Sequence, residues 1–329
     1  MAYERPHAPT PAPANLLTGT TDQGEDVVSN GKQGEAKICI CVPTWKENAD
    51  ALFASLVRLP GAEACTLLVF DDGSQDSDLT RQLTRQIRRY PGPARLISAP
   101  KNVGRSHARN RLRALAETDW ILYLDADMQP DDGDFLNRYL RAIAARDAPA
   151  LFVGGFSLRH AHPTEETQLH AAQSQGSECL PARAREREAG RYVFTSNLLV
   201  HTQILEQVSF DPGFQGWGWE DVDWGLRVAA QFPVFHIDNS ATHLGLDDDQ
   251  TLLRKYTESD ENFLRMNARH PEQMRQSRLF RMARLLCRAP GREQIKRTAH
   301  RLAQVRWLPI KTRLFALKLY RAAHYGGRL

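Results

Sequence analysis

Trp120-Ile121-Leu122-Tyr123-Leu124-Asp125-Ala126-Asp127 drives five apolar side chains into two carboxylates. Such a run reads as a buried strand with a charged tip. Residues two apart on an extended backbone share a face, so both acids can address one ligand. Oxygen donors of this kind suit Mg²⁺ or Mn²⁺, which keep open positions for substrate phosphates. A blander reading competes: a solvated strand end before a helix capped by Asp131 or Asp132.

Upstream, apolar runs at 37–43, 66–70 and 94–98 alternate with helical segments at 47–59, 76–89 and 105–116. The strands are apolar throughout, as in a parallel sheet covered on both faces. The predicted fold class is therefore α/β, with a mostly parallel central sheet flanked by helices. Ligands of such sheets bind at the carboxyl ends of the strands. Pro43-Thr44, Asp71-Asp72, Lys101-Asn102 and Asp125–Asp127 all fall at such ends, which puts four polar clusters on one rim.

Further on, strands are predicted at 151–158, 192–200 and 233–237, and a helix at 220–231. Residues 182–191, dense in Arg and Glu, read as a mobile loop or short helix. From Thr251 the chain reads as helix, interrupted near Pro271, Pro290 and Pro309. Three segments follow: a disordered stretch over 1–35, rich in Pro, Gly, Thr and Asp; a catalytic domain over 36–248; and a basic helical extension over 249–329.

The 329 residues are 42% hydrophobic and 25% charged, an ordinary globular composition. No window approaches a membrane span, and no signal peptide is evident. Five cysteines without a C-x-x-C pair argue against a disulfide framework or zinc site and fit a reducing cytoplasm. The net charge of +4 hides an asymmetry. Residues 275–329 hold fifteen Lys/Arg and one acid, giving +14 against −10 for the remaining 274 residues. Arg278, Arg281, Arg284 and Arg288 interleave there with Leu279, Met282, Leu285 and Leu286. Such a helix can lie on an anionic membrane surface, bind another polyanion, or pack on the domain with a solvated basic face. The acidic body offers nucleic acid no second anchor, so none is expected as a partner.

The motifs carry a resemblance. Val42-Pro43-Thr44-Trp45-Lys46-Glu47, Asp71-Asp72-Gly73-Ser74, Asn102-x-Gly104 with Ala108-Arg109-Asn110, and Asp125-Ala126-Asp127 occur in the order seen in family 2 glycosyltransferases. Residues 37–245 resemble a nucleotide-sugar transferase of the GT-A fold, a Rossmann-like architecture. Gly216-Trp217-Gly218-Trp219-Glu220-Asp221-Val222-Asp223 is similar to the Gly-Trp-Gly-Gly-Glu-Asp motif of β-galactosyltransferases and chondroitin-polymerase-like enzymes. It departs from that motif in placing Trp219 where the second Gly is usual.

The resemblance implies a metal-dependent inverting transfer, with Mn²⁺ or Mg²⁺ as cofactor. The donor would be a nucleotide sugar, expected to carry UDP, and the acceptor a hydroxyl of a glycan or lipid-linked glycan. A cation neutralises the departing diphosphate and a carboxylate deprotonates the acceptor. Asp127 and His243 would hold the metal, and Asp125 the ribose or the metal's outer shell. Pro43, Thr44, Glu47, Asp72, Asn102 and Arg109 would contact base, ribose or diphosphate. Asp221 would be the base, Glu220 an acceptor contact, and Trp217 and Trp219 stacking platforms for sugar rings. Ser196-Asn197 is a further candidate for the acceptor pocket.

Each residue also has a structural reading. Asp72 can simply make a turn. Glu47 and Glu220-Asp221 can decorate helix N-termini. Arg109 can be a surface arginine, and His243 a satisfied structural histidine. Two alternatives to the whole reading remain, a polyprenyl-phosphate sugar synthase and a non-catalytic sugar-nucleotide or glycan-binding subunit. The expected location is the cytoplasm, peripheral at the inner face of the membrane.

Overall fold

A computed structural model describes residues 16–329. A nine-stranded sheet holds the order β1-β2-β5-β4-β3-β6-β10-β8-β11. Its strands are β1 (Leu17–Thr20), β2 (Asp26–Ser29), β3 (Ile38–Thr44), β4 (Cys65–Asp71), β5 (Ala94–Ser98), β6 (Trp120–Leu124), β8 (Leu151–Val153), β10 (Asn197–His201) and β11 (Val234–His236). A small second sheet is made of β7 (Met128–Pro130), β12 (Ala241–His243) and β9 (Phe156–Ser157).

The parallel centre of the large sheet is β5-β4-β3-β6, as the apolar runs predict. Along β3, Ile38, Ile40 and Val42 enter the hydrophobic cluster on one face, and Cys39 and Cys41 the cluster on the other. Side-chain alternation on a strand buried from both sides produces that split. The helices α1 (Asp50–Leu56), α2 (Ser77–Arg89) and α4 (Phe135–Ala144) cover the first face. The second is covered by α3 (Arg105–Leu115), α7 (Thr202–Gln207) and α8 (Glu220–Ala229). The five cysteines are free, and Cys39 and Cys41 act as small buried hydrophobes.

Several expectations are corrected. The sheet is mixed rather than mostly parallel: β10 runs antiparallel between β6 and β8, and β2 antiparallel to β5. The strand expected over 151–158 breaks at Gly154-Gly155, where φ is +90° at Gly155, and its second half joins the small sheet. The strand expected over 192–200 begins only at Asn197, after a 3₁₀ turn.

The segment 182–191 takes the short-helix alternative rather than the mobile loop. It holds α6 (Ala182–Arg185), and buried Arg185 donates to the carbonyls of Leu180, Val153, Gly154 and Ile237. Arg185 also donates to His236 Nδ1 at 2.7 Å. Burial pushes that imidazole down to about 4, so it accepts as the neutral form.

Residues 17–29, expected to be disordered, form the β1–β2 hairpin on the sheet edge; residues 1–15 of that expectation lie outside the described residues. Composition missed the hairpin because tertiary partners anchor it. Buried Glu25 accepts from Arg111 Nε at 2.8 Å and Nη2 at 2.7 Å. Val27 and Val28 add one side chain to each core.

The rest of the chain is helical: α5 (Gln168–Ser177) before β10, then α9 (Asp249–Glu258), α10 (Asp260–Arg269), α11 (Pro271–Gln276), α12 (Arg278–Leu286), α13 (Arg292–Gln304) and α14 (Ile310–Gly326). Breaks fall at Pro271, around Pro290 and at Pro309, as expected, and also at Ser259. On α12, Phe280, Ala283 and Leu286 are buried, and Leu279 and Met282 pack against the same cores. Its apolar stripe is thus spent on packing, apart from Leu285, which is exposed. Among the described residues no helix is long and apolar enough to cross a membrane.

The Arg111 bond holds the Glu25 carboxyl below its ordinary value of 4.5. Its stabilisation is therefore present above that value and lost as pH falls through the lower, folded one. A charge-assisted bond of this kind contributes about 1.5–3 kcal/mol. Arg111→Met is expected to quicken amide exchange over residues 17–29 by about 10- to 100-fold, leaving β3–β6 protected. Acidification below the glutamate range should loosen the wild-type hairpin in the same way.

Candidate functional site

The topology gathers acids at one rim. Parallel β3, β4 and β6 end together, with Thr44 beside Asp71 and Asp125 one residue past β6. Antiparallel β10 then brings residues 195–196 to the same rim, where the Asp125 N–H donates to the Ser196 carbonyl at 3.2 Å. The small sheet pairs His243 with Met128 and so lays His243 against Asp127. A cleft of about 590 Å³ opens there. Among its lining residues are Glu47, Asp125, Asp127, Trp217, Trp219, Glu220, Asp221 and His243.

Beneath the cleft, behind Asp125 and Asp221, lies Arg109, 2% exposed and not a surface arginine. Its Nη2 donates to Asp125 Oδ1 at 3.0 Å, and its Nη1 stands 4.0 Å from Asp221 Oδ1. Burial opposes its charge, but Asp125, Asp221 and Glu220 overcome that and raise its pKa. Asp125 also accepts from Ser196 Oγ at 2.8 Å. Asp221 accepts from the Thr195 N–H at 3.1 Å and Thr195 Oγ1 at 2.7 Å. One carboxylate on β6 and one on α8 are therefore fixed around a shared buried cation.

Glu220 is buried at the start of α8, and burial followed by repulsion from Asp221 raises its carboxyl pKa. Arg105 and Arg109 oppose that shift. Glu47 is open to solvent, so cleft walls rather than a dry core desolvate it. They push its carboxyl up to about 7, with Asp127 and Asp125 adding repulsion.

Asp127 Oδ2 lies 3.0 Å from His243 Nε2. Burial opposes both charges, yet their contact lowers the Asp127 pKa and raises that of His243. Two donors at this separation fit adjacent corners of an octahedron with bonds of about 2.1 Å. The other His243 nitrogen, Nδ1, is buried without a partner, so its orientation comes from packing rather than a second-shell bond. Among the described residues no three His, Cys, Asp or Glu side chains form a closed cation cage. Seven carboxylates line the cleft against Arg105 and Lys255. A donor set of two, in an acid-rich cleft, fits a Mg²⁺ or Mn²⁺ ion that takes its remaining ligands from phosphate and water.

The other expected residues are placed differently. Asp72 accepts from the Val103 and Gly104 N–H groups, both at 2.9 Å, and from Asn102 Nδ2 at 3.0 Å. Asp72 and Asn102 thus hold the 102–104 loop in shape. Burial raises the Asp72 pKa against those backbone bonds. Thr44 Oγ1 donates to the Glu47 carbonyl at 3.0 Å, shaping the turn after β3. Pro43, Thr44, Asp72, Asn102 and Arg109 do not line the cleft. Neither does Asn197, whose amide donates to the Gly155 and Asn239 carbonyls, whereas Ser196 does.

The two tryptophans are half-buried, not the exposed pair that the glycines around them suggest. Trp217 meets Tyr256 edge-on at 5.3 Å. Trp219 packs on Phe263 and Tyr325, with the Arg321 guanidinium 5.4 Å from its ring. Its backbone is left-handed, with φ +78° and ψ −20°. The position where the related motif has Gly therefore needs glycine-like geometry, and here Trp adopts it.

Four residues went unrecognised in the sequence. Arg105 follows Gly104 at the start of α3, so the turn was visible but the side chain's direction was not. Thr195 precedes β10, with no motif around it. Lys255 sits on α9, Nζ 5.9 Å from the Trp217 ring and 2.7 Å from Asp247; its helix carries no local signal. Gly245 leaves room for Asp127, because a Cβ there would run into the Asp127 carboxylate.

Comparison with known families points to a glycosyltransferase. Residues 39–192, a little under half of the chain, match the model of Glycosyl transferase family 2. No curated protein matches the sequence. Among solved structures, residues 1–349 of Staphylococcus aureus TarS are 15% identical, with 89% of this chain and 91% of that one covered at a TM-score of 0.46. The same fragment in complex with UDP-GlcNAc is 14% identical over the same shares, also at 0.46. The mannosyltransferase PcManGT of Pyrobaculum calidifontis, with GDP-Man and Mn²⁺, is 14% identical, covering 71% of this chain and 64% of that one at 0.48.

Two outcomes follow from the geometry. Gly245→Ala is expected to displace Asp127 and cut sugar transfer by about 10²-fold, the scale of a 1 Å misplacement, with the melting temperature nearly unchanged. At Trp219, a left-handed non-glycine residue costs about 1–2 kcal/mol. Trp219→Gly and Trp219→Ala both lose the indole packing. Only the glycine relieves the backbone, so chemical denaturation should find it about 1 kcal/mol the more stable of the two.

Proposed function

We propose that the protein transfers a sugar, with inversion at the anomeric carbon, from a nucleotide donor to a glycan hydroxyl. The donor is read as a UDP-sugar, and the acceptor as a surface glycan or lipid-linked glycan. The observation that carries this reading is one cleft holding both the Asp127–His243 pair and the Glu220-Asp221 pair.

Asp221 acts as the general base. Thr195 occupies one lone pair on each of its oxygens and fixes the carboxylate in place, leaving it free to accept the acceptor's proton. As that proton leaves, the acceptor oxygen bonds to the anomeric carbon, and the bond from that carbon to the diphosphate oxygen breaks. Glu220, buried beside Asp221 at the start of α8, can accept a hydrogen bond from a hydroxyl of the acceptor. Arg105, exposed in the cleft beside Glu220, Asp125 and Glu47, is the cation placed to meet the departing diphosphate. Arg109 is spent on Asp125 and Asp221, so it positions the carboxylates instead. Asp127 and His243 would hold Mn²⁺ or Mg²⁺, which when bound supplies Lewis-acid stabilisation of diphosphate charge. Trp217 forms a wall for the acceptor's sugar rings, and a lipid-linked acceptor would bring the enzyme to a membrane.

A release assay for UDP across a panel of UDP-sugars, with Mn²⁺ and with EDTA, tests the reading. Turnover with one donor, abolished by EDTA and by Asp127→Ala, is the expected result. Asp221→Asn should lose about 10²–10⁴-fold in kcat while binding the donor as the wild type does. Undiminished turnover in Asp221→Asn would remove Asp221 from the base role. Silence with UDP-, GDP-, CMP- and dTDP-sugars in the presence of glycan acceptors would overturn the reading itself.

A further inference from the structure

The +14 charge of residues 275–329 is only partly matched inside the fold. Arg313 is buried on Asp249 at 2.5 Å. Arg321 lies 4.3 Å from the Tyr256 ring, and Arg328 pairs with Asp260 at 3.2 Å. Arg278, Arg281, Arg284 and Arg288, on and just after α12, are exposed and among the described residues unpaired, and so are cations of the α13–α14 hairpin. Arg297, Arg301, Lys311 and Lys318 are exposed there and, among the described residues, none is paired with a carboxylate.

The same hairpin exposes apolar side chains. Trp307, at the turn, is 84% exposed, Phe315 on α14 is 63% exposed, and Leu302 on α13 is also open. An apolar groove of about 320 Å³ runs between the two helices under Phe315 and Leu302. Helical spacing puts the cations along its edges. Lys311 and Lys318 stand four before and three after Phe315, on its side of α14. On α13, Arg297 and Arg301 flank Gln294 and Thr298, which line the groove. An exposed aromatic at a turn, a groove of apolar atoms and flanking cations together form an amphipathic face. The α12 helix leaves a single large apolar side chain open, Leu285, with no groove or exposed aromatic beside it, since the rest of its stripe is packed.

We propose that this face of the α13–α14 hairpin docks on an anionic lipid bilayer. Trp307 and Phe315 enter the boundary between headgroups and acyl chains, and the four cations meet lipid phosphates. Charge complementarity selects this occupant: a protein partner of ordinary composition would leave the four cations unmatched, and a nucleic acid would not use the apolar groove. On its inner side the hairpin packs with α9 and Leu169 of α5. Lys255 of α9 and His170 of α5 line the cleft, so the docked face lies one helix layer from the site. The inference deepens the membrane part of the proposed function and does not depend on the transferase chemistry.

The test is co-sedimentation of the full chain with vesicles of phosphatidylcholine alone and of phosphatidylcholine mixed with phosphatidylglycerol. Binding to the mixed vesicles only, weakened by salt, is expected. Arg297→Gln, Arg301→Gln, Lys311→Gln and Lys318→Gln should each weaken it about fivefold, and Trp307→Ser with Phe315→Ser by at least roughly tenfold. A blue shift of tryptophan emission on adding mixed vesicles should vanish in Trp307→Phe. UDP release without vesicles reads the transferase chemistry separately, and these exposed substitutions should leave it unchanged. Absence of binding to the mixed vesicles, or binding indifferent to Trp307 and Phe315, would overturn the proposal. So would light scattering that finds a dimer broken by Trp307→Ser.

Discussion

The site is organised around the buried guanidinium of Arg109. A charge taken out of water costs several kcal/mol unless partners replace its hydration, and those partners come from two distant parts of the chain. Asp125 closes β6 and Asp221 opens α8, and both approach the same side chain. Arg109 itself is fixed by packing in the second core, by the ring of Phe210 at 5.9 Å and by Tyr123, whose hydroxyl donates to its backbone carbonyl. The cation therefore transmits the position of the rigid parallel sheet to the helix that carries the proposed base. Its Nε and Nη1 have no hydrogen-bond partner. The ion pairs alone thus compensate those atoms, which makes the placement of both carboxylates stringent.

A second constraint comes from strand direction. Had β10 run parallel to β6, its amino end would lie at the opposite edge of the sheet, far from Asp125. Running antiparallel, it delivers Thr195 and Ser196 to the rim, one to orient Asp221 and the other to bond Asp125. The break at Gly154-Gly155 has a similar consequence. It releases β9 into the small sheet, and that sheet sets His243 against Asp127. The two departures from a plain parallel sheet are therefore what complete the site.

This explains which parts were legible in the sequence. β3, β4 and β6 announce themselves because strands buried on both faces must be apolar throughout, and α2, α3 and α8 because their turns and periodicity are local. Asp125, Asp127, Glu220 and Asp221 stand out because carboxylates at element ends are conspicuous. Thr195, Lys255 and Gly245 do not, since their roles arise from tertiary neighbours that no local pattern encodes. Trp217 and Trp219 misled for the same reason. Flanking glycines suggest exposure, but the covering rings of Tyr256, Phe263 and Tyr325 come from helices more than thirty residues away. The β1–β2 hairpin was hidden because it is held by tertiary partners, Arg111 against Glu25 and Asp22 and the edge of β5, rather than by composition.

The basic extension reads differently once α8 is seen from behind. Asp223 is fully buried and accepts from Arg227 of its own helix and from Arg269 and His270 after it. Arg269 also reaches Asp211, in the loop that leads to the Gly-Trp turn. Removing these partners would leave an uncompensated buried carboxylate two residues from Asp221, a cost of about 3–5 kcal/mol. The helices beyond residue 248 therefore form the rear support of the site as well as a charged appendage. That division of labour accounts for the charge asymmetry: cations facing inward meet Asp223, Asp249 and the aromatic rings around Trp219. Among the described residues, cations on the outer faces of α12, α13 and α14 have no such partner, and beside the last two helices the chain leaves Trp307 and Phe315 in water.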